Sequence, residues 1–401
     1  MARAWPADSW HGPLLVVRLS SLGDVILTTG VLRMLKERRP DLEIHVLTRR
    51  AHAEPLRGSR VIDRLILEEE AVGTVASSQP GPDGAPRYAL VLDWQGGWKG
   101  RRAAARFAPG ARVITVSRAA LRRRLLVLLG DRIPAPPPYV ARLARTVCGF
   151  APDRESLHEW KPEVIPDRER IEALRARLLA FASDRTGSDR ERDGSSLAMT
   201  QARAMGQALP SRRRLVFAHS AAYPGKAVPA RLSEALQAAF RTEGWDVIEL
   251  IPPSPDSSSE SSGEHLSRDV DATGAPRLRF SGSLTDVAAL LSLADLFVGS
   301  DSGILHLASA VGIPALGLFG PTAPCLGFSP LGRAAAFGVD LPCRPCHIHG
   351  VSRCWLGHAR CWKEMDPAGV VAAAASLLRQ APAAKFAHAR ASVERSARED
   401  G

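Results

Sequence analysis

The chain has 401 residues, 45% hydrophobic and 24% charged, with a formal net charge of +11. That length allows two domains with separate cores, and no apolar run approaches the roughly 18 residues a membrane-spanning helix needs. Aromatics make up only 5% and no nucleic-acid-binding module is legible. The arginine clusters at 101–102, 122–124 and 212–214 therefore point to an anionic substrate, a lipid surface or a compositional bias rather than to nucleic acid.

Residues 1–12 read as a loose lead-in. They hold Asp8 and two tryptophans but no apolar core segment, so no secretory signal is expected and the cytoplasm is the expected compartment. Leu14 to Leu19 reads as a buried strand, Ser20 to Asp24 as a turn, and Val25 to Arg39 as a helix closed by Pro40. Ile44 to Leu47 and Val61 to Ile66 are further strands, and 73–86 is a Gly/Pro/Ser-rich loop. Tyr88 to Asp93 is a strand, followed by the turn Trp94 to Lys99 and a basic helix from Arg101. Val113 to Val116 is another strand. Prolines within 134–138 make a stiff break before a helix from Tyr139 to Cys148.

Ile171 to Phe181 reads as a helix and 183–196 as a charged, flexible segment. The second half opens with a buried strand, Leu215 to His219, and a turn, Ser220 to Lys226. A helix from Pro229 to Thr242 and a strand from Trp245 to Ile251 follow, then a polar insertion at 254–275. Leu284 to Ala294 is a helix that leads into the most informative stretch, 296–322. There a strand end, Leu296 to Val298, precedes a helix with the apolar stripe Ile304, Leu305, Leu307, Ala308, Val311. Gly312 and Pro314 stop that helix, and Ala315 to Phe319 is the next strand. Ala368 to Leu378 is a last helix, with a disordered tail beyond.

Asp301, Ser302 and Gly303 thus open a helix, where unpaired N–H groups and the positive dipole end suit a phosphate. Gly303 lets the backbone approach closely. Ser302 either caps the helix or bonds a phosphate oxygen. Asp301 repels a bare diphosphate, so it holds a ribose, a sugar hydroxyl or the loop itself. Asp24 stands at the corresponding place in the first half. Strand–helix alternation in both halves predicts an α/β fold of two Rossmann-like domains facing a central cleft. The expected division is 13–165 for an acceptor domain, 166–210 for a connecting helix and flexible segment, 211–378 for a nucleotide-sugar domain, and 379–401 for the tail.

Several motifs carry a family resemblance: Arg18 to Thr29 with Leu32, Leu92 to Gly96, Lys226, Asp301 to Ala308, and Phe319 to Thr322. In this order, over most of 14–375, the chain resembles glycosyltransferase family 9, the lipopolysaccharide heptosyltransferases of GT-B fold. The resemblance implies an inverting transfer of heptose from ADP-heptose to the lipopolysaccharide inner core, without a catalytic metal or other cofactor. Asp24 would be the general base and Lys226 would contact the donor phosphates. Ser220, Asp301, Ser302, Gly303, His306, Gly320, Pro321 and Thr322 would line the donor site. Ser21, Gly23, Asp93, Gln95, Arg101 and Arg102 would form the acceptor side. Expected partners are a nucleotide-sugar donor, a lipid-linked anionic glycan and the inner membrane surface, to which the protein would be peripheral. Gly30 stands where the family often has proline. Residues 227–229, Ala-Val-Pro, stand where many members have a basic residue and then Trp-Pro.

Cys343, Cys346, Cys354 and Cys361 are closely spaced, and a cytoplasmic location argues against disulfides. They suggest a structural tetrathiolate site for zinc, or iron as second choice, with His347, His349 and His358 as substitute ligands. Two other functions remain in view: a relative that glycosylates a protein or another surface glycan, and a nucleotide-sugar binding protein without turnover. Asp24 together with Lys226 argues against the last, because binding alone needs no base.

Overall fold

The computed structural model describes residues 5–70, 87–153, 155–188, 213–252, 265–270, 276–350 and 353–380. Two sheets organise them. The first joins β1 (Leu14–Val17), β2 (Ile44–Thr48), β3 (Arg64–Leu67), β4 (Leu90–Asp93) and β5 (Arg112–Thr115) in the order β3-β2-β1-β4-β5, every pair parallel. The second holds β6 (Arg214–Ala218), β7 (Asp246–Leu250), β8 (His265–Val270), β9 (Pro276–Ser281), β10 (Leu296–Ser300), β11 (Ala315–Leu318) and β12 (Ala334–Phe337). Its order is β12-β11-β10-β6-β7-β9-β8, parallel except for the antiparallel edge strand β8.

β1 and β10 are buried along their whole length, as parallel strands covered by helices on both faces must be. Successive side chains alternate faces: Leu14 and Val16 enter one apolar core, Leu15 and Val17 the core on the other side of the sheet. The second sheet repeats the arrangement, with Val216 and Ala218 in one core and Leu215 and Phe217 in the other.

The covering helices are α1 (Leu22–Arg38), α2 (Arg50–Ala53), α3 (Gly97–Phe107), α4 (Ala120–Leu129), α5 (Tyr139–Cys148) and α6 (Arg168–Ser188) in the first part of the chain. α7 (Ala230–Thr242), α8 (Leu284–Ser292), α9 (Gly303–Val311), α10 (Arg360–Lys363) and α11 (Pro367–Arg379) follow. α6 buries Leu174 and Leu178 in the second-half core, and Arg170 pairs with Asp286 of α8.

In each sheet the strand order reverses at one place, between β1 and β4 and between β6 and β10. Crevices at the carboxyl ends of strands open at such switch points. The loops leaving β1, β4, β6 and β10 carry Ser20–Ser21, Trp94–Gln95, His219–Ser220 and Asp301–Ser302. The two crevices meet because α1 packs directly on α9. Ile26 of α1 is wholly buried in the second-half core, so one helix serves both halves. The approach is close at both helix starts: a Cβ on Gly23 would come within 2.6 Å of His306, and one on Gly303 within 2.8 Å of Leu22.

Several expectations need correction. The described part of the lead-in, residues 5–12, is not loose. Pro6–Ser9 form a 3-10 turn with Ala7 buried, Trp5 stacks on Trp160 at 5.9 Å, and Asp8 pairs with Arg38. α1 begins at Leu22 and α3 at Gly97, earlier than apolar periodicity suggested, because glycines and small polar residues fill their first turns. α6 runs to Ser188 across the start of the segment expected to be flexible. β8 lies inside the expected 254–275 insertion, and α4, β9 and β12 were not anticipated. The remainder of that insertion, 73–86, 189–196 and the tail beyond 380 lie outside the described residues. Gly30 has a structural reason to lack a side chain, since a Cβ there would lie 2.1 Å from the Trp160 carbonyl oxygen.

Candidate active site at the junction of the two halves

Asp24 occupies the first turn of α1, and Ser21 is the residue before that helix. The Asp24 carboxylate accepts from the Ser21 N–H at 3.1 Å and from its hydroxyl at 2.9 Å. It also forms an ion pair with Arg18, the only charge in the Leu14–Leu19 run. Arg18 is held in turn by the Trp94 carbonyl, to which its Nη1 donates at 2.6 Å, and it lies 5.0 Å from the centre of the Tyr139 ring. Burial pushes the Asp24 carboxyl upward, but Arg18, the Ser21 donors and His306 outweigh it and hold the group below the ordinary carboxylate range. Asp24 is therefore ionised at neutral pH.

Across the seam stands a second acidic group. Asp301 follows β10, and its Oδ2 takes the Lys226 ammonium at 2.7 Å and the Thr322 hydroxyl at 2.7 Å. These contacts tie together the ends of β6, β10 and β11. Asp301 thus holds the loop, one of the alternatives read from sequence. Ser302 occupies the N-cap position of α9 but makes no side-chain capping bond, and its buried Oγ has no partner among the described residues. The hydroxyl and the first N–H groups of α9 are left for a ligand. Ser220 contributes its carbonyl, which accepts from Ser300 Oγ at 2.6 Å. Gly320 carries the indole of Trp362 directly on its face, where a Cβ would sit 2.2 Å from the ring.

His306 links the two acids. It projects from α9 against Gly23, is 5% exposed, and its Nδ1 is buried without a partner among the described residues. Burial depresses its pKa more than Asp301 and Asp24 raise it, so the ring is neutral at pH 7. Asp24, His306, Asp301 and Lys226 form one electrostatic group across the cleft.

The expected acceptor side is realised unevenly. Gln95 braces the β1–α1 loop, its Oε1 accepting from the N–H groups of Leu19 at 3.0 Å and Ser20 at 3.2 Å. Asp93 is fully buried and turned away: its Oδ1 takes the Gly96 N–H at 2.8 Å ahead of α3. Desolvation also lifts its pKa. Asp93 therefore shapes the loop and does not face an acceptor. Arg101 and Arg102 are exposed on α3, and Arg102 with Leu19, Arg49, Glu68, Trp98 and Arg106 lines a cavity of about 230 Å³.

Of two cationic residues near Asp24, Arg123 was expected only as part of the basic 122–124 face and Arg142 was not expected at all. Arg123 of α4 and Arg142 of α5 are 6% and 7% exposed. Arg142 donates to the Ser117 carbonyl at 2.5 Å and leaves Nη2 buried without a partner among the described residues; Arg123 does the same with Nε. Burial lowers both, Arg142 to about 10, yet both stay cationic at pH 7. Phe328 from the second half packs 5.2 Å from Arg123 and 5.5 Å from Tyr139. The missed signal was that Arg123 and Arg142 fall on the apolar stripes of their helices.

The four cysteines do not assemble as expected. No disulfide joins any two of the six cysteines, and no three His, Cys, Asp or Glu among the described residues are grouped to hold an ion. Cys346 Sγ instead donates to the Cys343 carbonyl at 2.9 Å.

The family described as glycosyltransferase family 9 (heptosyltransferase) matches residues 159–352. Lipopolysaccharide heptosyltransferase 1 of Pseudomonas aeruginosa is 34% identical over 139 residues, which is 34% of this chain and 37% of that protein. The matched stretch thus spans little more than a third of that relative's length. Among solved structures, ADP-heptose lipopolysaccharide heptosyltransferase II of E. coli superposes with a TM-score of 0.55 at 16% identity, covering 92% of this chain and 99% of that one. A glycosyltransferase family 9 protein from Veillonella parvula gives 0.58 at 14% identity, covering 92% and 98%. At these identities the superpositions establish the fold, which is GT-B.

Proposed function

We propose that the chain is a member of glycosyltransferase family 9 that moves heptose from ADP-heptose to the anionic inner core of lipopolysaccharide, inverting the anomeric centre without a catalytic metal; the family match over residues 159–352 supports this reading. The observation that carries this reading is the convergence of Asp24 and the Lys226–Asp301–Thr322 cradle on His306.

The acceptor hydroxyl lies against Asp24 with the donor sugar beyond it. As the hydroxyl oxygen bonds to the anomeric carbon, its proton passes to Asp24 and the bond from that carbon to the diphosphate oxygen breaks on the opposite face. A carboxylate of low pKa suits this timing, because the hydroxyl becomes strongly acidic only as the new bond forms. The departing ADP gathers negative charge, which meets Lys226, Ser302 Oγ and the N–H groups opening α9, while Thr322 holds Asp301 in place. Neutral His306 fills the space between base and cradle and keeps water out.

Arg18, Arg123 and Arg142 give the Asp24 side a positive wall, which supports an acceptor bearing carboxylate or phosphate. No described helix is long and apolar enough to cross a membrane. α4 exposes Leu121 and Leu128 beside Arg122 and Arg124, which supports peripheral attachment to an anionic bilayer at the inner membrane's cytoplasmic side.

The test is incubation with ADP-heptose and deep-rough lipopolysaccharide, measuring ADP release and acceptor mass. Transfer to the lipid, lost by about 10²–10⁴-fold in Asp24→Asn with ADP binding kept, is the expected result. Near wild-type transfer by Asp24→Asn would sink the base assignment. Transfer to protein alone would move the acceptor to another class, and ADP binding without any transfer would leave only a nucleotide-sugar binder.

A further inference from the structure

Arg344 stands in the middle of the cysteine-rich segment, yet its guanidinium faces the loop that follows β11. Nε donates to the Gly320 carbonyl at 2.5 Å, and Nη2 donates to the carbonyls of Phe319 at 2.7 Å and Thr322 at 2.9 Å. Nη1 donates to the Val339 carbonyl. A guanidinium has five N–H donors in a rigid plane, and four of these bonds end on backbone oxygens of two loops. Space for the plane comes from Gly338, where a Cβ would lie 2.6 Å from Nη2.

The rest of the segment grips the same place. The Cys346 N–H donates to the Pro321 carbonyl at 2.8 Å. Trp362 covers Gly320 and donates its indole N–H to the Gly225 carbonyl at 3.0 Å, next to Lys226. Gly350 lies against the Lys226 stem, where a Cβ would meet Cγ at 2.6 Å. Arg344, Cys346, Gly350 and Trp362 therefore reach both parts of the cradle, the Lys226 turn and the 319–322 loop.

We infer that Arg344 is a positioning residue for the donor site: by fixing the carbonyls of Phe319, Gly320 and Thr322 it sets where the Thr322–Asp301–Lys226 cradle stands against the donor diphosphate. This rests on the proposed donor site. Burial presses the Arg344 pKa down while the surrounding thiols offset it, and the group stays cationic. A lysine would keep that charge but could not reach three carbonyls of one loop from a fixed plane.

The experiment compares Arg344→Lys and Gly338→Ala with the unaltered protein. Gly338→Ala keeps the arginine but crowds both its plane, at 2.6 Å, and the Phe319 carbonyl oxygen, at 2.8 Å, so it perturbs the same contact from the other side. Readouts are ADP affinity by calorimetry, kcat and KM for donor and acceptor, and amide exchange of the peptide holding 318–322. Both variants should weaken ADP and raise donor KM by about 10–100-fold, the worth of one or two hydrogen bonds from a charged group. Acceptor KM should stay unchanged and exchange at 318–322 should quicken. Wild-type ADP affinity and wild-type exchange in Arg344→Lys would overturn the inference. A uniform loss of stability with acceptor KM rising alongside donor KM would equally count against it, as the mark of a merely structural residue. If the unaltered protein binds no ADP, the donor reading falls and exchange alone decides whether Arg344 sets the loop.

Discussion

Arg18 and Asp24 form a buried ion pair in which the arginine is also anchored to the Trp94 carbonyl, so Asp24, the proposed base, is held from the end of β1, the strand before its own helix. Removing the guanidinium leaves the carboxylate in the same low-exposure site without its main cation. Arg18→Gln should destabilise the fold by about 3–5 kcal/mol in chemical denaturation, as breaking a buried pair does. The acid limb of the rate–pH profile should also move upward. Adding Asp24→Asn should restore part of the stability, because the charge left unpaired is then gone.

Lys226 and Asp301 are paired in the cradle. Lys226→Met should weaken ADP binding by about 10–100-fold, since a charge-assisted contact to the diphosphate is lost. Asp301→Asn removes the competitor for the ammonium while keeping an acceptor for Thr322. It should lower stability but retain ADP affinity, by thermal shift and calorimetry.

Stability should fall with acid in two stages. His306 has a folded pKa below its ordinary 6.5, so the unfolded chain takes that proton first and stability drops as pH falls below that value. Asp24, depressed below 3.8, contributes stability that is complete above that value and lost as pH descends through its folded pKa. Urea denaturation between pH 8 and 3 should show the first stage missing in His306→Gln and the second missing in Asp24→Asn.

Gly30→Ala should cost about 1–3 kcal/mol, because the added methyl meets the backbone at Trp160 rather than a side chain that can rotate away. Gly58→Ala is no control, as Gly58 has a positive φ. Ala105→Gly, on the exposed face of α3, is suitable and should lose no more than about 1 kcal/mol.

The thiols should react in a fixed order. Several backbone N–H groups, led by that of Ala359, lower the Cys354 thiol, whereas burial and neighbouring cysteines push Cys346 up to about 11 and raise Cys361. Timed alkylation at pH 8 with peptide mapping should label Cys354 first and Cys346 and Cys361 last.

The central strands and α5 were legible because their apolar runs are continuous and proline or glycine ends them. Tyr139–Cys148 was read to the residue. α4 was not, since its three consecutive arginines hide the stripe that Arg123 and Leu126 bury. Asp24, Asp301 and Ser302 could be placed at helix starts from local pattern alone. Which groups pair could not: Arg18 with Asp24 follows from the fold of one loop, and Lys226 with Asp301 joins residues on different strands. Asp93 shows the converse error, where a polar residue in a motif proved to serve the loop behind the site.

The docking of α1 on α9 gives the molecule a seam with chemistry in it. Because a methyl on Gly23 would strike His306 and one on Gly303 would strike Leu22, any change at this seam is felt by both halves at once, and the joining of the halves cannot drift independently of the groups that meet there.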